Sequence, residues 1–330
     1  MDWSSILTGA ARAAVGRDAV IFCLAAIGLN MHFGYTGLLN FGQAGFMAIA
    51  SYGLAVAVLS LDVSMGVGLL FGIGAAIVFA LLLGIPTLRL RADYLAIVTI
   101  AAAEILRLTV RSVTLRDLTG GSSGLTNFAR DFYALSPYSD GVYGFWVWKF
   151  DERVIWVLTV GWTLVVLLSI MMYLLMHSPW GRVIKSIRED EDAARSLGKN
   201  VYFYKMQSLI LGGVIGGVAG FMTSMSSQVV QPDTYSTPVT FYAYVVLILG
   251  GTARIFGPIV GSMIFWALLA ITDSLLRATV SPDGPVPGLL TGTEVGQFRF
   301  ILVGAGLMLL MIFRPEGIFG DRKELALDER

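Results

Sequence analysis

The chain has 330 residues, of which 56% are hydrophobic and only 14% charged, and its mean hydropathy of +0.74 lies outside the range of a water-soluble globular domain. Lysine plus arginine equals aspartate plus glutamate at 23 each, so no net field points to nucleic acid or to an acidic polymer. The single cysteine, Cys23, lies in an apolar run, which excludes a disulfide framework and a cysteine-rich metal site and is read as packing.

Residues 1–17 lack the basic start, apolar stretch and small-residue cleavage site of a secretory signal and are read as mature chain. Crossing a hydrocarbon core of ~30 Å takes about 20 apolar residues as a helix, because each backbone donor and acceptor must be satisfied without water. Between Asp18 and Asp62 there is no Asp, Glu, Lys or Arg. That length suits a helical hairpin of two crossings, joined near Gly34-Tyr35-Thr36-Gly37. Residues 65–85 follow, free of charge. Residues 94–110 form a span that carries Glu104 and Arg107, close enough on one helix to pair and so reduce the cost of each charge. The segment 114–153, rich in Gly, Tyr and Trp, is predicted to be an external excursion. Charge-free stretches recur at 154–176, 206–230 and 255–272, with shorter candidates at 239–253 and 298–313. The expectation is an all-α, polytopic transmembrane bundle of about nine spans (eight to ten), a single domain over 1–330 in the cell membrane, surrounded by lipid.

Short loops rich in Lys and Arg stay on the cytoplasmic side. Loop 177–205 holds Arg182, Lys185, Arg188, Arg195, Lys199 and Lys205; Arg89 and Arg91 flank another turn; Arg314, Arg322 and Lys323 follow the last span. All three fall on one side, so that side is predicted to be cytoplasmic. Counting spans back puts the N-terminus, with Arg12 and Arg17, outside, against the same rule. Within the loop, Ser178-Pro179-Trp180-Gly181-Arg182 ends one membrane helix, because proline donates no backbone hydrogen bond and constrains its predecessor. From Val183 to Leu197 there is no Gly or Pro, and Ile184, Ile187, Glu191 and Ala194 recur at helical spacing. One short amphipathic helix is predicted, with Ala193 and Ala194 permitting close approach and Gly198 suited to a left-handed cap. Such a helix fits a partner's groove; the alternative is a solvated turn that fixes the topology.

The sequence Asp192-Ala193-Ala194-Arg195-Ser196-Leu197-Gly198 resembles the coupling loop of ABC importer permeases, whose Glu-Ala-Ala, three residues, Gly pattern is kept with Asp192 in place of Glu. The resemblance implies that Glu189, Asp190, Asp192, Ala193, Ala194 and Gly198 dock on a cytoplasmic ATPase and pass its motion to the membrane helices. The run Gly34-Tyr35-Thr36-Gly37-Leu38-Leu39-Asn40-Phe41-Gly42-Gln43-Ala44-Gly45-Phe46 is similar to the early signature of LivM-type branched-chain amino acid permeases. So are Thr119-Gly120-Gly121-Ser122-Ser123-Gly124-Leu125, Leu249-Gly250-Gly251-Thr252-Ala253-Arg254-Ile255-Phe256-Gly257-Pro258 and Phe313-Arg314-Pro315-Glu316-Gly317. Implied partners are cytoplasmic ATP-binding subunits, a second permease in a heterodimeric core, and an external substrate-binding protein. Urea and short-amide permeases share much of the pattern, which leaves the cargo open.

Glycines at Gly34, Gly37, Gly42 and Gly45 loosen helical continuity, and Asn30, Asn40 and Gln43 bring amides that hydrocarbon penalises if unpaired. A broken helix lining a polar translocation path is expected there; the alternative is hydrogen bonding between helices without cargo contact. Gly212, Gly216 and Gly220, with Gly213 and Gly217, place small residues one turn apart and predict backbone-close packing. His32 and His177 have no partner at metal-ligand spacing, so no metal is expected. A phosphate-binding loop, His-Glu-x-x-His and Gly-x-Ser-x-Gly are all absent. The chain is therefore expected to be no enzyme and to hold no cofactor, with ATP and magnesium on the partner ATPase. The competing class is an ion-coupled secondary transporter with Glu104 as its carboxylate, although no internal repeat is evident. A third is a non-transporting membrane scaffold.

Overall fold

A computed structural model describes residues 3–89, 92–145, 148–280, 292–313 and 317–319. The chain opens with α1 (Trp3–Val15) and α2 (Arg17–Leu29), and α2 runs directly into a π-helical turn, Asn30–Tyr35. After a linker come α3 (Gln43–Ser60), α4 (Met65–Thr87) and α5 (Ala92–Arg111). The next stretch holds α6 (Arg116–Thr119), β1 (Leu125–Thr126), α7 (Arg130–Ala134), β2 (Val142–Phe145) and β3 (Trp148–Asp151). Then follow α8 (Glu152–His177), α9 (Pro179–Glu189), α10 (Glu191–Ser196), α11 (Val201–Ser227) and β4 (Val229–Val230). A 3-10 turn (Pro232–Tyr235), α12 (Thr237–Gly250), α13 (Gly257–Val280) and α14 (Gly292–Phe313) complete it.

Among the described residues, six helical stretches are long and apolar enough to cross a membrane: Trp3–Tyr35, Gln43–Ser60, Met65–Thr87, Glu152–His177, Val201–Ser227 and Gly257–Val280. The expected count of about nine is not reached on length and composition. α12 has only 14 residues, and α5 carries Asp93, Glu104, Arg107 and Arg111, more charges than any of the six. The last expected span coincides with α14, outside the six. The all-α expectation also needs an addition, since β2 pairs with β3 and β1 with β4, both antiparallel. The predicted excursion supplies three of these strands.

α2 sits at the centre. From Ala19 to Leu29 nearly every side chain is buried, as befits a helix that is apolar all round, and it packs on α8, α11, α12 and α13. The outer surfaces of α4 and α8 expose Leu70, Phe71, Leu82, Val166, Leu167 and Leu174. In lipid such a surface is at home, so close packing rather than water expulsion must join the helices. At one end of the bundle, Gly37 in the linker lies against Arg188 of α9, and the Arg89 guanidinium stacks over the Tyr202 ring at 5.6 Å. Toward the other end, Trp162 donates to the Val15 carbonyl (3.0 Å) and Trp148 to the Ala11 carbonyl (3.0 Å). The basic loop and the N-terminal helix thus lie toward opposite ends, as the span count required. Arg91, Arg314, Pro315, Glu316, Arg322 and Lys323 lie outside the described residues.

Candidate coupling element and polar core

The predicted single helix over 183–197 is two helices. α9 starts at Pro179, capped by the Ser178 side chain, which accepts from the Gly181 N–H. It ends at Asp190, whose backbone is extended (φ −152°) and whose Oδ1 accepts from the Ala193 N–H at 2.9 Å. Asp190 is thus the N-cap of α10, and the capping bond is what turns the chain. The inner face of this corner is closed by Ile187, Ala194 and Val201, with Val183 and Tyr204 against them. Glu191 ties α10 to α11 through Lys205 and pairs with Arg195 at 2.9 Å. Gly198 ends α10 with φ +76° in open space, so the position needs glycine for its backbone and not for room.

Of the six residues assigned to ATPase docking, Glu189, Asp190, Asp192 and Ala193 are exposed while Ala194 is buried. Ala194 therefore builds the corner rather than its rim. The rim includes a residue the motif did not single out: Leu197 is 80% exposed, and a large apolar side chain in water at the end of a polar corner is what a partner's groove would cover. Beside it a polar cleft of about 540 Å³, lined by Arg89, Glu191, Asp192, Arg195 and Lys205 among others, is large enough for several partner side chains.

The three amides predicted for the path are all buried. Asn30 donates to the Arg254 carbonyl (2.9 Å) and accepts from the Ala253 N–H (2.8 Å), which bolts the π turn to the loop between α12 and α13. Asn40 accepts from the Gly42 N–H (2.9 Å), so its NH2 faces His32 Nδ1 at 3.0 Å and Gln43 Oε1 at 3.4 Å. His32 Nε2 in turn reaches the Leu209 carbonyl at 3.1 Å. A carbonyl only accepts, so these partners fit an imidazole protonated on Nε2. Gln43 donates to the Ala25 and Gly212 carbonyls. The linker is also held by Thr36 to Ser208 (2.6 Å), Thr99 to the Phe41 N–H (3.0 Å) and Tyr244 to the Asn40 carbonyl (2.9 Å). One strip of chain is therefore hydrogen-bonded to α5, α11 and α12. Three of the quoted signature segments meet here, because a Cβ at Gly34 would meet the Ala253 backbone and one at Gly317 would meet Gly251. Asn30→Leu keeps the branched shape but strands the Ala253 N–H. At about 1–3 kcal/mol for an unsatisfied buried group, the purified protein is expected to unfold at a measurably lower temperature.

At the other end, Glu104 and Arg107 do pair, with Arg107 Nη2 2.6 Å from Glu104 Oε1. The pair is larger than expected. Asp233, from the 3-10 turn, bonds Arg107 Nη1 at 2.8 Å and Arg111 Nη1 at 3.1 Å.

The family described as branched-chain amino acid transport system / permease component matches residues 13–310. The high-affinity branched-chain amino acid transport system permease protein LivM of Escherichia coli K12 is 30% identical, covering 91% of this chain and 68% of its own length. A probable branched-chain amino acid transport permease protein LivM of Methanocaldococcus jannaschii is 24% identical over 92% of this chain and 91% of its own. A nucleoside ABC transporter permease protein, NupC of Lactococcus lactis, is 24% identical over 85% and 86%. A match over nearly the whole chain, together with helices suited to repeated membrane crossing, makes the conclusion plain: the chain is a multi-pass membrane protein of the branched-chain amino acid transport permease family.

Proposed function

We propose that this chain forms one wall of the translocation path of an ATP-driven importer for a branched-chain or similar amino acid. It works with a second permease in a heterodimeric core, cytoplasmic ATP-binding subunits that carry ATP and magnesium, and an external substrate-binding protein. It does no catalysis of its own. α5, α12 and α14 complete the crossings beyond the six, for a total of nine. The names of the relatives support the cargo class. The observation that carries the coupling role is the α9–α10 corner, braced on its inner side by Ile187, Ala194 and Val201 and open to solvent along Glu189, Asp192, Ala193 and Leu197.

In this mechanism, closure of the ATPase pulls the corner. Arg188 of α9 packs on Gly37, so the pull enters the linker 36–42 and spreads through its bonds to α5, α11 and α12. Asn30, Asn40 and Gln43 lie beside the path in this account, holding the broken helix in shape; their hydrogen bonds are satisfied within the chain. Access then switches between two states, driven by the differing affinity of the ATPase for nucleotide in each.

The test is leucine uptake into proteoliposomes holding the reconstituted complex. Uptake is expected to need ATP on the ATPase side and to survive collapse of the proton and sodium gradients. Uptake that instead follows a gradient and ignores ATP would sink the reading and return Glu104 to candidacy as a coupling carboxylate.

A further inference from the structure

We propose that Glu104, Arg107, Arg111 and Asp233 form a transient station for the zwitterionic head of the amino acid at the outer mouth of the path, uncovered when the turn Pro232–Tyr235 lifts from α5. The inference rests on the amino-acid reading above.

Four observations carry it. First, α5 exposes an apolar stripe through Ile97, Ile105 and Leu108, and the Glu104 side chain, 37% exposed, borders that stripe. Glu104 lies seven residues before the helix end, about 10 Å along the axis. A carboxylate partly open at that depth is costly against hydrocarbon but not against a wet path.

Second, the charges alternate. Arg107 Nε lies 3.1 and 3.0 Å from the two Glu104 oxygens, and Arg107 and Arg111 share one Asp233 oxygen. Two acids and two arginines make a neutral group, and a zwitterion adds no net charge to it. Its carboxylate can take the Asp233 place on the two guanidinium groups, the fork geometry that arginine favours, while its ammonium takes the freed Asp233 carboxylate. Each broken ion pair is replaced in kind, which keeps the exchange close to balance and the hold weak enough for passage.

Third, a hydroxyl stands idle next to the cluster. Tyr52 is 3% exposed, and its hydroxyl has no hydrogen-bond partner among the described residues. It lies within electrostatic reach of Asp233, whereas Tyr235 has the Ser51 hydroxyl beside it, which donates to the Met47 carbonyl at 2.8 Å and keeps its lone pairs open. A buried hydroxyl left unpaired in one state is explained if another state, or a ligand, uses it. Fourth, the covering turn has few polar ties, with Pro232 and Tyr235 buried beneath it. Beyond its ion pairs, its neighbouring strand β4 holds to β1 by a two-residue ladder, Leu125 to Val230 and Thr126 to Val229.

The experiment uses the complete reconstituted importer with leucine-loaded binding protein, measuring leucine uptake and ATP hydrolysis side by side. Asp233→Asn removes the ammonium partner. The variant Tyr52→Phe removes a hydroxyl that bonds nothing among the described residues, so folding is spared. Each is expected to slow uptake at least fivefold, while binding-protein-stimulated ATP hydrolysis stays within twofold of wild type. Uptake unchanged in both variants overturns the station. Uptake and hydrolysis falling in step also overturn it, since the cluster would then be only a structural latch. A wild-type importer that hydrolyses ATP but carries no amino acid in the same vesicles overturns the amino-acid reading itself, and the wild-type control tells that failure apart.

Discussion

Replacing Leu197 by glutamate is expected to cut recovery of the ATPase with the tagged permease more than tenfold, while the yield and thermal midpoint of the permease stay at wild-type values. The side chain is 80% exposed, so nothing inside the fold depends on it. A hot-spot anchor in a partner's groove, by contrast, costs about 2 kcal/mol or more on truncation, and every 1.4 kcal/mol is about tenfold in affinity. Glutamate adds the cost of desolvating a charge. Leu197→Ala should fall between the two. Two further substitutions separate docking from folding. Ala194→Glu drives a carboxylate into the contact with Ile187 and Val201 and should lower permease stability itself. Gly198→Leu faces open space but must adopt φ +76°, a left-handed conformation costing about 1–2 kcal/mol for a side-chain-bearing residue, so it should loosen the turn and weaken ATPase recovery only in part. Full ATPase recovery with Leu197→Glu would falsify the placement of the docking rim.

Much of this was legible in the chain itself. The two membrane helices within 18–62, the end of a membrane helix at Ser178–Pro179, the left-handed end at Gly198 and the Glu104–Arg107 pair all follow from local rules of charge, proline and spacing, and all are present. The division at Asp190 was not legible, because Ile184, Ile187, Glu191 and Ala194 keep helical spacing across it. An acid in mid-helix and an acid that caps the next helix read the same in one dimension. His32 looked like an isolated histidine at a span end. Its role depends on the Leu209 carbonyl, 177 residues away. Asp233 had no visible partner because Arg107 is 126 residues distant. Local chemistry marks where a helix begins and ends; it does not mark which helix will lie alongside.

The largest loss of folded protein is expected from Gly216→Val. α11 lies against α2 and α3 along a seam of glycines, and a Cβ at Gly216 would enter the Gln43 amide, just as one at Gly212 would meet the His32 ring and the Gly28 carbonyl. Overpacking alone costs about 1–3 kcal/mol, and displacing the Gln43 amide from its carbonyls adds about 1–3 kcal/mol for groups left unsatisfied. Against a total stability of about 5–15 kcal/mol, the yield of monodisperse protein should fall severalfold and the thermal midpoint drop sharply. Gly74→Val is the matched control, since nothing among the described residues lies within 4 Å of the Cβ it would add, and it should behave as wild type. A normal midpoint for Gly216→Val would mean the seam has slack. With no slack, α11 cannot slide along α2, and the two helices must move together during transport. Motion is then left to the two ends of the bundle: the α9–α10 corner at one and, at the other, the turn that carries Asp233 over α5.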